Sequence, residues 1–147
     1  MTVWAWDGRT LAADKQATNN GTKARVTKVF THTKDNGTYL LTGCGDHGVL
    51  MSKIAWFKDN SAPWPKDEDK ATLAVITPKG GLLLYESIWP MAIEEKFHAG
   101  GSGRDIALGA MAMGATAAQA VEIAITFETG CGMGIDTLEL NNGVRPA

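Results

Sequence analysis

The chain has 147 residues, enough for one domain whose core buries roughly two-thirds of its unfolded surface. Its 14 basic and 16 acidic residues leave a net charge of −2, which removes the electrostatic case for binding nucleic acid or an anionic membrane. Hydrophobic residues at 44% and charged residues at 20% describe a globular chain, and no apolar stretch approaches the roughly 20 residues of a membrane span.

The chain opens with a predicted hairpin. Thr2 to Trp6 is β-prone, Asp7-Gly8 is a two-residue turn, and Thr10 to Ala13 returns. A polar stretch from Asp14 to Lys23 follows, with a turn at Asn19-Asn20-Gly21. Ala24 to His32 reads as one strand, turned by Asp35-Asn36-Gly37 into Thr38 to Thr42. Gly43-Cys44-Gly45 ends that strand. Asp46 is placed to cap a helix reaching about Lys58, with Leu50, Ile54 and Phe57 on one face. Residues 59–70 are polar with two prolines and read as a loop. Pro78-Lys79-Gly80-Gly81 joins the strands Thr72 to Thr77 and Leu82 to Glu86, and no motif is apparent from Tyr85 to Glu95. A short strand at Phe97 to Gly100 precedes a helix from Arg104 to about Met113. Thr116-Ala117-Ala118-Gln119 is a capping box for a helix to about Phe127, and a strand from Ile135 to Leu140 closes the chain. This order predicts the α+β class, with helices layered on antiparallel sheets. Trp64 and Trp89, each beside a proline, read either as anchors for a neighbouring subunit or as ordinary loop packing.

Cys44 and Cys131 are the only cysteines, and no basic segment followed by an apolar run opens the chain. Reduced thiols and a cytoplasmic location are therefore expected. His32, His47 and His98 lack metal-ligand spacing, so neither a metal nor a cofactor is expected.

Individual residues leave more than one reading open. Strand parity puts Lys28 on a face with Val26 and Phe30, where a buried lysine needs an acid partner; the commoner arrangement is an edge strand with Lys28 snorkelling into solvent. Asp14 ends the apolar run Leu11-Ala12-Ala13 and could pair with Lys28, but on spacing alone it is a solvated turn residue. Thr2 follows Met1, and removal of Met1 would leave an amine and a hydroxyl on one residue. Such an amine has a pKa of about 7.7 to 8 and could act as base for its own hydroxyl. The glycine clusters 43–48 and 130–134 could present backbone N–H groups to an oxyanion, cradle a phosphate (though neither matches a P-loop), or simply make turns.

Taken in order, these segments resemble the proteasome β-subunit family, nearest the HslV type. Ala12-Ala13-Asp14-Lys15-Gln16-Ala17-Thr18 is similar to the family's A-x-D-x-Q-A-T segment, and Val26-Thr27-Lys28-Val29 to its V-x-K-V strand. His98-Ala99-Gly100-Gly101-Ser102-Gly103 is similar to its A-x-G-S-G motif before an Ala-rich helix. The resemblance runs from Thr2 to about Leu140 and implies a four-layer αββα sandwich of antiparallel sheets, the N-terminal nucleophile hydrolase fold. Between Asp46 and Ala71 there is room for one helix where the family has two. That implies a reduced outer helix layer, as in short bacteriophage-encoded members.

By resemblance Thr2 would be the nucleophile and its amine the base, Lys28 would polarise the site, and Asp14 would hold Lys28. Gly45 would offer the oxyanion N–H, with Cys44 the alternative, and Ser102 would bond near the terminal amine. Glu128 stands where the family has aspartate, and Cys131 where it often has serine. Thr18 would lend its backbone to an extended substrate, and His47, with Val49, would line the pocket beyond Gly45. The implied activity is a threonine peptidase acting on peptides or unfolded proteins within a homo-oligomeric ring, with an ATP-dependent unfoldase as a possible partner. A silent structural or interaction protein on the same fold, and a small-molecule amidohydrolase, are the competing readings.

Overall fold

Alternation along the first strand sorts the whole molecule into layers. In the computed structural model, which describes residues 1–140, β1 (Val3–Trp6) turns Val3 and Ala5 to one side and Trp4 and Trp6 to the other. It pairs antiparallel with β2 (Thr10–Asp14) through the Asp7-Gly8 turn, where Asp7 Oδ1 accepts from the backbone N–H of Arg9 and Thr10. Two more hairpins follow. The first is β3 (Gln16–Asn19) with β4 (Thr22–Arg25); the second is β5 (Phe30–Lys34) with β6 (Gly37–Gly45).

Helix α1 (His47–Lys58) starts where Asp46 accepts from Val49 N at 3.0 Å. A 3₁₀ turn at Glu68–Lys70 leads into β7 (Ala71–Ile76), β8 (Leu82–Tyr85) and β9 (Met91–Ile93). Strand β10 (His98–Gly101), helix α2 (Arg104–Ala112), helix α3 (Ala117–Phe127) and β11 (Ile135–Glu139) complete the order. The capping box at Thr116 and Gln119 is formed in both directions.

The strands make a four-stranded sheet ordered β10-β1-β2-β11, a five-stranded sheet ordered β5-β6-β7-β8-β9, and the separate β3–β4 pair. Trp4, Trp6, Leu11 and Ala13 of the first sheet pack against Leu40, Ala74, Ile76, Leu82 and Leu84 of the second. The opposite face of the first sheet, with Val3, Ala5 and Ala12, meets Ala107, Met111, Ala117, Val121 and Ala124 of α2 and α3. The outer face of the second, with Leu41, Leu73 and Val75, meets Leu50, Ile54 and Phe57 of α1. The result is the expected αββα sandwich, with one helix on the outer layer.

Three elements depart from the sequence reading. The stretch Asp14 to Lys23 contains the strand β3. The single strand expected at Ala24 to His32 is two strands separated by residues 26–29. Lys15 O holds Val26 N at 2.7 Å and Thr42 Oγ1 donates to Lys28 O at 2.7 Å, so this segment bends between the two hairpins. Strand β9, in the stretch without a motif, exists because it pairs with β8.

Lys53 is a fully buried cation on α1. Its ammonium donates to the carbonyls of Glu68, Ala71, Tyr85 and Glu86 at 2.5 to 3.1 Å, tying α1 to the ends of β7 and β8. Burial pushes its pKa down, while the Glu68 and Glu86 carboxylates pull it back. Lys53→Met should cost about 2–4 kcal/mol in urea unfolding, because it strands buried carbonyls. A loss under about 1 kcal/mol would show that the carbonyls find other partners.

Candidate active site

Asp14 closes β2 with its side chain fully buried, which excludes the solvated-turn reading. A carboxylate there needs several donors, and the backbone supplies three. Val3 N reaches Oδ1 at 3.1 Å, and Gln16 N and Gly132 N reach Oδ2 at 3.2 and 3.0 Å. The fourth donor is the Lys28 ammonium, 2.9 Å from Oδ1. Lys28 is therefore no snorkelling edge residue: it sits in the bent segment between β4 and β5, turned inward onto Asp14. The same ammonium donates to Thr2 Oγ1 at 3.3 Å and to Met1 O at 3.0 Å.

Thr2 is held from its other side by the glycine-rich approach to α2. Gly103 N and Ser102 Oγ both donate to Thr2 O at 3.3 Å. Gly101 has φ +89°, and a side chain there would run into Thr2 O; one at Gly103 would press Val3 at 2.8 Å. Those glycines are what let β10 and the start of α2 close around the N-terminal residues.

Ser102 Oγ also lies 3.6 Å from Cys131 Sγ. Burial pushes the Cys131 thiol up, partly offset by that hydrogen bond, and burial likewise raises Cys44. Both thiols are therefore protonated near neutral pH and poor nucleophiles. Glu128 caps the C-terminus of α3, and its Oε1 accepts from Gly130 N at 3.2 Å.

Thr2, Cys44 and Gly45 line two cavities. The first, about 240 Å³, is walled by Thr18, Lys28, Phe30, His47, Leu50 and Met51. Thr18 and His47 thus line the same cleft as Thr2. Val49 does not; it packs beneath α1 against the outer core, and Leu50 and Met51 take the place expected for it. The second cavity, about 510 Å³, opens between the sheets beside Trp4, Glu86, His98 and Arg104. Gly45 has φ +102°, and a side chain there would meet Lys70 O and approach Ala71 Cα at 2.7 Å, so the position requires glycine. Among the described residues no cluster of His, Cys, Asp and Glu could hold a metal ion, and no helix is long and apolar enough to cross a membrane.

Sequence reasoning missed Thr42, Gly132 and Gly103. Thr42 fixes the Lys28 carbonyl, Gly132 donates to Asp14, and Gly103 donates to Thr2. The last two lie in segments the sequence singles out, the glycine cluster 130–134 and the Gly101-Ser102-Gly103 motif, but nothing local says what their N–H groups bind.

By sequence, no family model and no curated protein matches the chain. Solved structures do. BPH from Thiobacillus denitrificans superposes with a TM-score of 0.70 at 19% identity, over 96% of this chain and 99% of that one. HslV from Trypanosoma brucei gives 0.64 at 19%, over 94% and 97%. Anbu from Hyphomicrobium sp. strain MC1 gives 0.68 at 12%, over 95% and 81%. The chain has the proteasome-like N-terminal nucleophile hydrolase fold. At these identities the likeness extends to the fold alone.

Two predictions concern this site. Asp14→Ala should cost about 3–5 kcal/mol, because it leaves the Lys28 ammonium and three N–H groups without their acceptor. Lys28→Met should cost less in the same denaturant titration, because the carboxylate keeps its backbone donors; the reverse ranking would contradict this geometry. His98 packs edge-on to Trp4 with ring centroids 6.1 Å apart. Burial lowers its pKa below 6.5, with Glu95 opposing. As pH falls through about 6.5 the unfolded imidazole binds a proton that the folded one does not, so stability drops on acidification. His98→Gln should flatten the thermal-stability slope between about pH 7 and pH 5, and an unchanged slope would exclude His98 as a source.

Proposed function

We propose that this chain is a threonine-type peptidase, nucleophilic at Thr2 once Met1 has been removed. The observation that carries the reading is the Lys28 ammonium, anchored on buried Asp14 at 2.9 Å and reaching Thr2 Oγ1 at 3.3 Å. A fixed positive charge at that distance favours the alkoxide character the hydroxyl needs for attack. The free Thr2 amine takes the hydroxyl proton, Oγ1 adds to a peptide carbonyl, and the Gly45 N–H, or that of Cys44, receives the oxyanion. The amine then protonates the departing nitrogen, leaving an ester on Thr2. A water deprotonated by the same amine hydrolyses the ester. Ser102 and Cys131 keep the amine oriented, with Glu128 supporting the turn that carries Cys131. An extended substrate adds to the edge of β3 that is unpaired among the described residues, at Thr18, its side chain entering the cleft beside His47.

The solved neighbours lend support: BPH has been determined in complex with epoxomicin, and Anbu from Pseudomonas aeruginosa as a helical assembly. Self-association into a homo-oligomer is proposed on that basis, with peptide or unfolded protein as substrate and an ATP-dependent unfoldase as partner. The single outer helix suits a short, bacteriophage-type member, and the two free cysteines suit the cytoplasm. One contact favours the silent alternative. Lys28 also donates to Met1 O, so a chain that keeps Met1 has neither a free Thr2 amine nor an undivided Lys28.

Intact mass before and after treatment with a threonine-directed β-lactone separates the two. The peptidase reading expects loss of Met1 and one adduct per chain, equal in mass to the opened lactone. Thr2→Ala should form none, and Lys28→Ala should react at least about 100-fold more slowly. Retained Met1 without adduct would establish the silent protein.

A further inference from the structure

Residues 18–27 are exposed without exception, yet they include most of the β3–β4 hairpin, which pairs with no third strand among the described residues. A two-stranded hairpin without an apolar face is marginal in water, so this one needs cover. It is also strongly basic. Lys15, Lys23, Arg25, Lys28 and Lys34 fall within residues 15–34 with no acid among them. Lys28 is committed to Asp14 and Lys15 to Asp136, which leaves Lys23 and Arg25 displayed on the hairpin.

A groove of about 640 Å³ lies beside the opposite edge of the five-stranded sheet. Glu68, Asp69 and Glu86 line it with Trp89 and Met91, and among the described residues no lysine or arginine does. Trp89 is 82% exposed and Met91 49%, which makes an apolar rim of the kind that anchors a partner. Trp64, the other tryptophan beside a proline, is ordinary packing against Trp56 and Tyr85.

We propose that the basic β3–β4 hairpin of one copy docks into the acidic, Trp89-rimmed groove of a second copy. The occupant is a second copy because this chain itself carries the complementary charge on a segment that lacks cover. Hairpin and groove share no residue. The hairpin leads into β5, one edge of the sheet, and the groove adjoins β9, the other. Each copy therefore offers both halves, and the contact is head-to-tail, propagating into a ring or a filament. Docking also fixes one wall of the Thr2 cleft, which Ala17 and Thr18 of the hairpin help to line. The proposal rests on the self-association proposed above and not on the hydrolase chemistry.

Sedimentation velocity of the full chain tests it, using Lys23→Glu/Arg25→Glu for the hairpin and Asp69→Lys/Glu86→Lys for the groove. Glu68 is left intact because it accepts from Trp64 Nε1 at 3.0 Å. The wild type should sediment as an assembly that dissociates as salt is raised. Each variant alone should be monomeric, since its hairpin and groove then repel. An equimolar mixture of the two should assemble again, because each hairpin then meets a groove of opposite charge. Trp89→Ala should raise the concentration needed for assembly at least tenfold. Arg25 Nε also donates to Met133 O, so Lys23→Glu alone serves if the double variant loses its wild-type melting profile. Assembly that survives the charge reversals, or a mixture of folded variants that stays monomeric, would overturn this surface. A wild type that is monomeric at all concentrations would overturn self-association as well. The β-lactone adduct on Thr2 of the wild type reads the hydrolase chemistry separately.

Discussion

A carboxylate with no exposure to water has to be surrounded by donors before the fold around it can close. Asp14 draws these from four places, three of them distant in the chain: the start of β1, the bend at Lys28 and the glycine turn at Gly132, together with Gln16 at the start of β3. Leaving it unpaired would cost several kcal/mol, so the four segments are fixed relative to one another with little freedom. Thr2 precedes Val3, whose N–H is one of those donors, and Lys28 is another. The juxtaposition of the Thr2 hydroxyl with a lysine ammonium is thus a by-product of satisfying one buried acid. Stability and candidate chemistry share a single polar cluster.

The layers around that cluster owe their spacing to side-chain size. On the helix side the first sheet meets Ala107, Ala117, Ala120 and Ala124, which allow α2 and α3 to lie close. Between the sheets, Trp4 and Trp6 fill the wider gap. Gly43 allows α1 to settle on β6, since any side chain there would meet Thr72 O and Leu50. Gly45, the last residue of β6, lines both cavities, and Gly101, the last of β10, lines the second. A side chain at either position would run into backbone, at Lys70 and Ala71 or at Thr2, so glycine is what lets these segments close up beside the cavities.

The parts of this fold legible in the sequence were those governed by local physics. Asp7-Gly8, Asn36-Gly37 and Lys79-Gly80 mark turns because glycine enters backbone conformations with positive φ, and here Gly8, Gly37 and Gly80 do so. Asp46 and Thr116 mark helix starts because their side chains satisfy the first free N–H groups. For Lys28 the same kind of reasoning leaves two readings open, an inward lysine paired with an acid and a snorkelling edge residue, and the structure shows the first. Period-two parity assumes a continuous strand, and the strand is interrupted where Thr42 and Lys15 take the backbone of the bend. Lys53 went unseen because on an amphipathic helix a lysine is ordinarily a solvated residue, and only the convergence of four carbonyls keeps this one inside.

The sequence by itself determined the Asp7-Gly8, Asn36-Gly37 and Lys79-Gly80 turns of three antiparallel hairpins, the three helices with side-chain caps on two of them, and an order of segments that resembles an N-terminal nucleophile hydrolase. The turns, helices and caps follow from interactions among residues a few positions apart, which composition and spacing record directly; the resemblance rests on motif segments taken in order along the chain. Tertiary structure alone decided that Asp14 is buried rather than solvated and that Lys28 turns inward to meet both Asp14 and Thr2. It also decided that Trp64 is packed while Trp89 is bare. Those outcomes depend on which distant groups arrive at the same point, and on whether water is left there once they have.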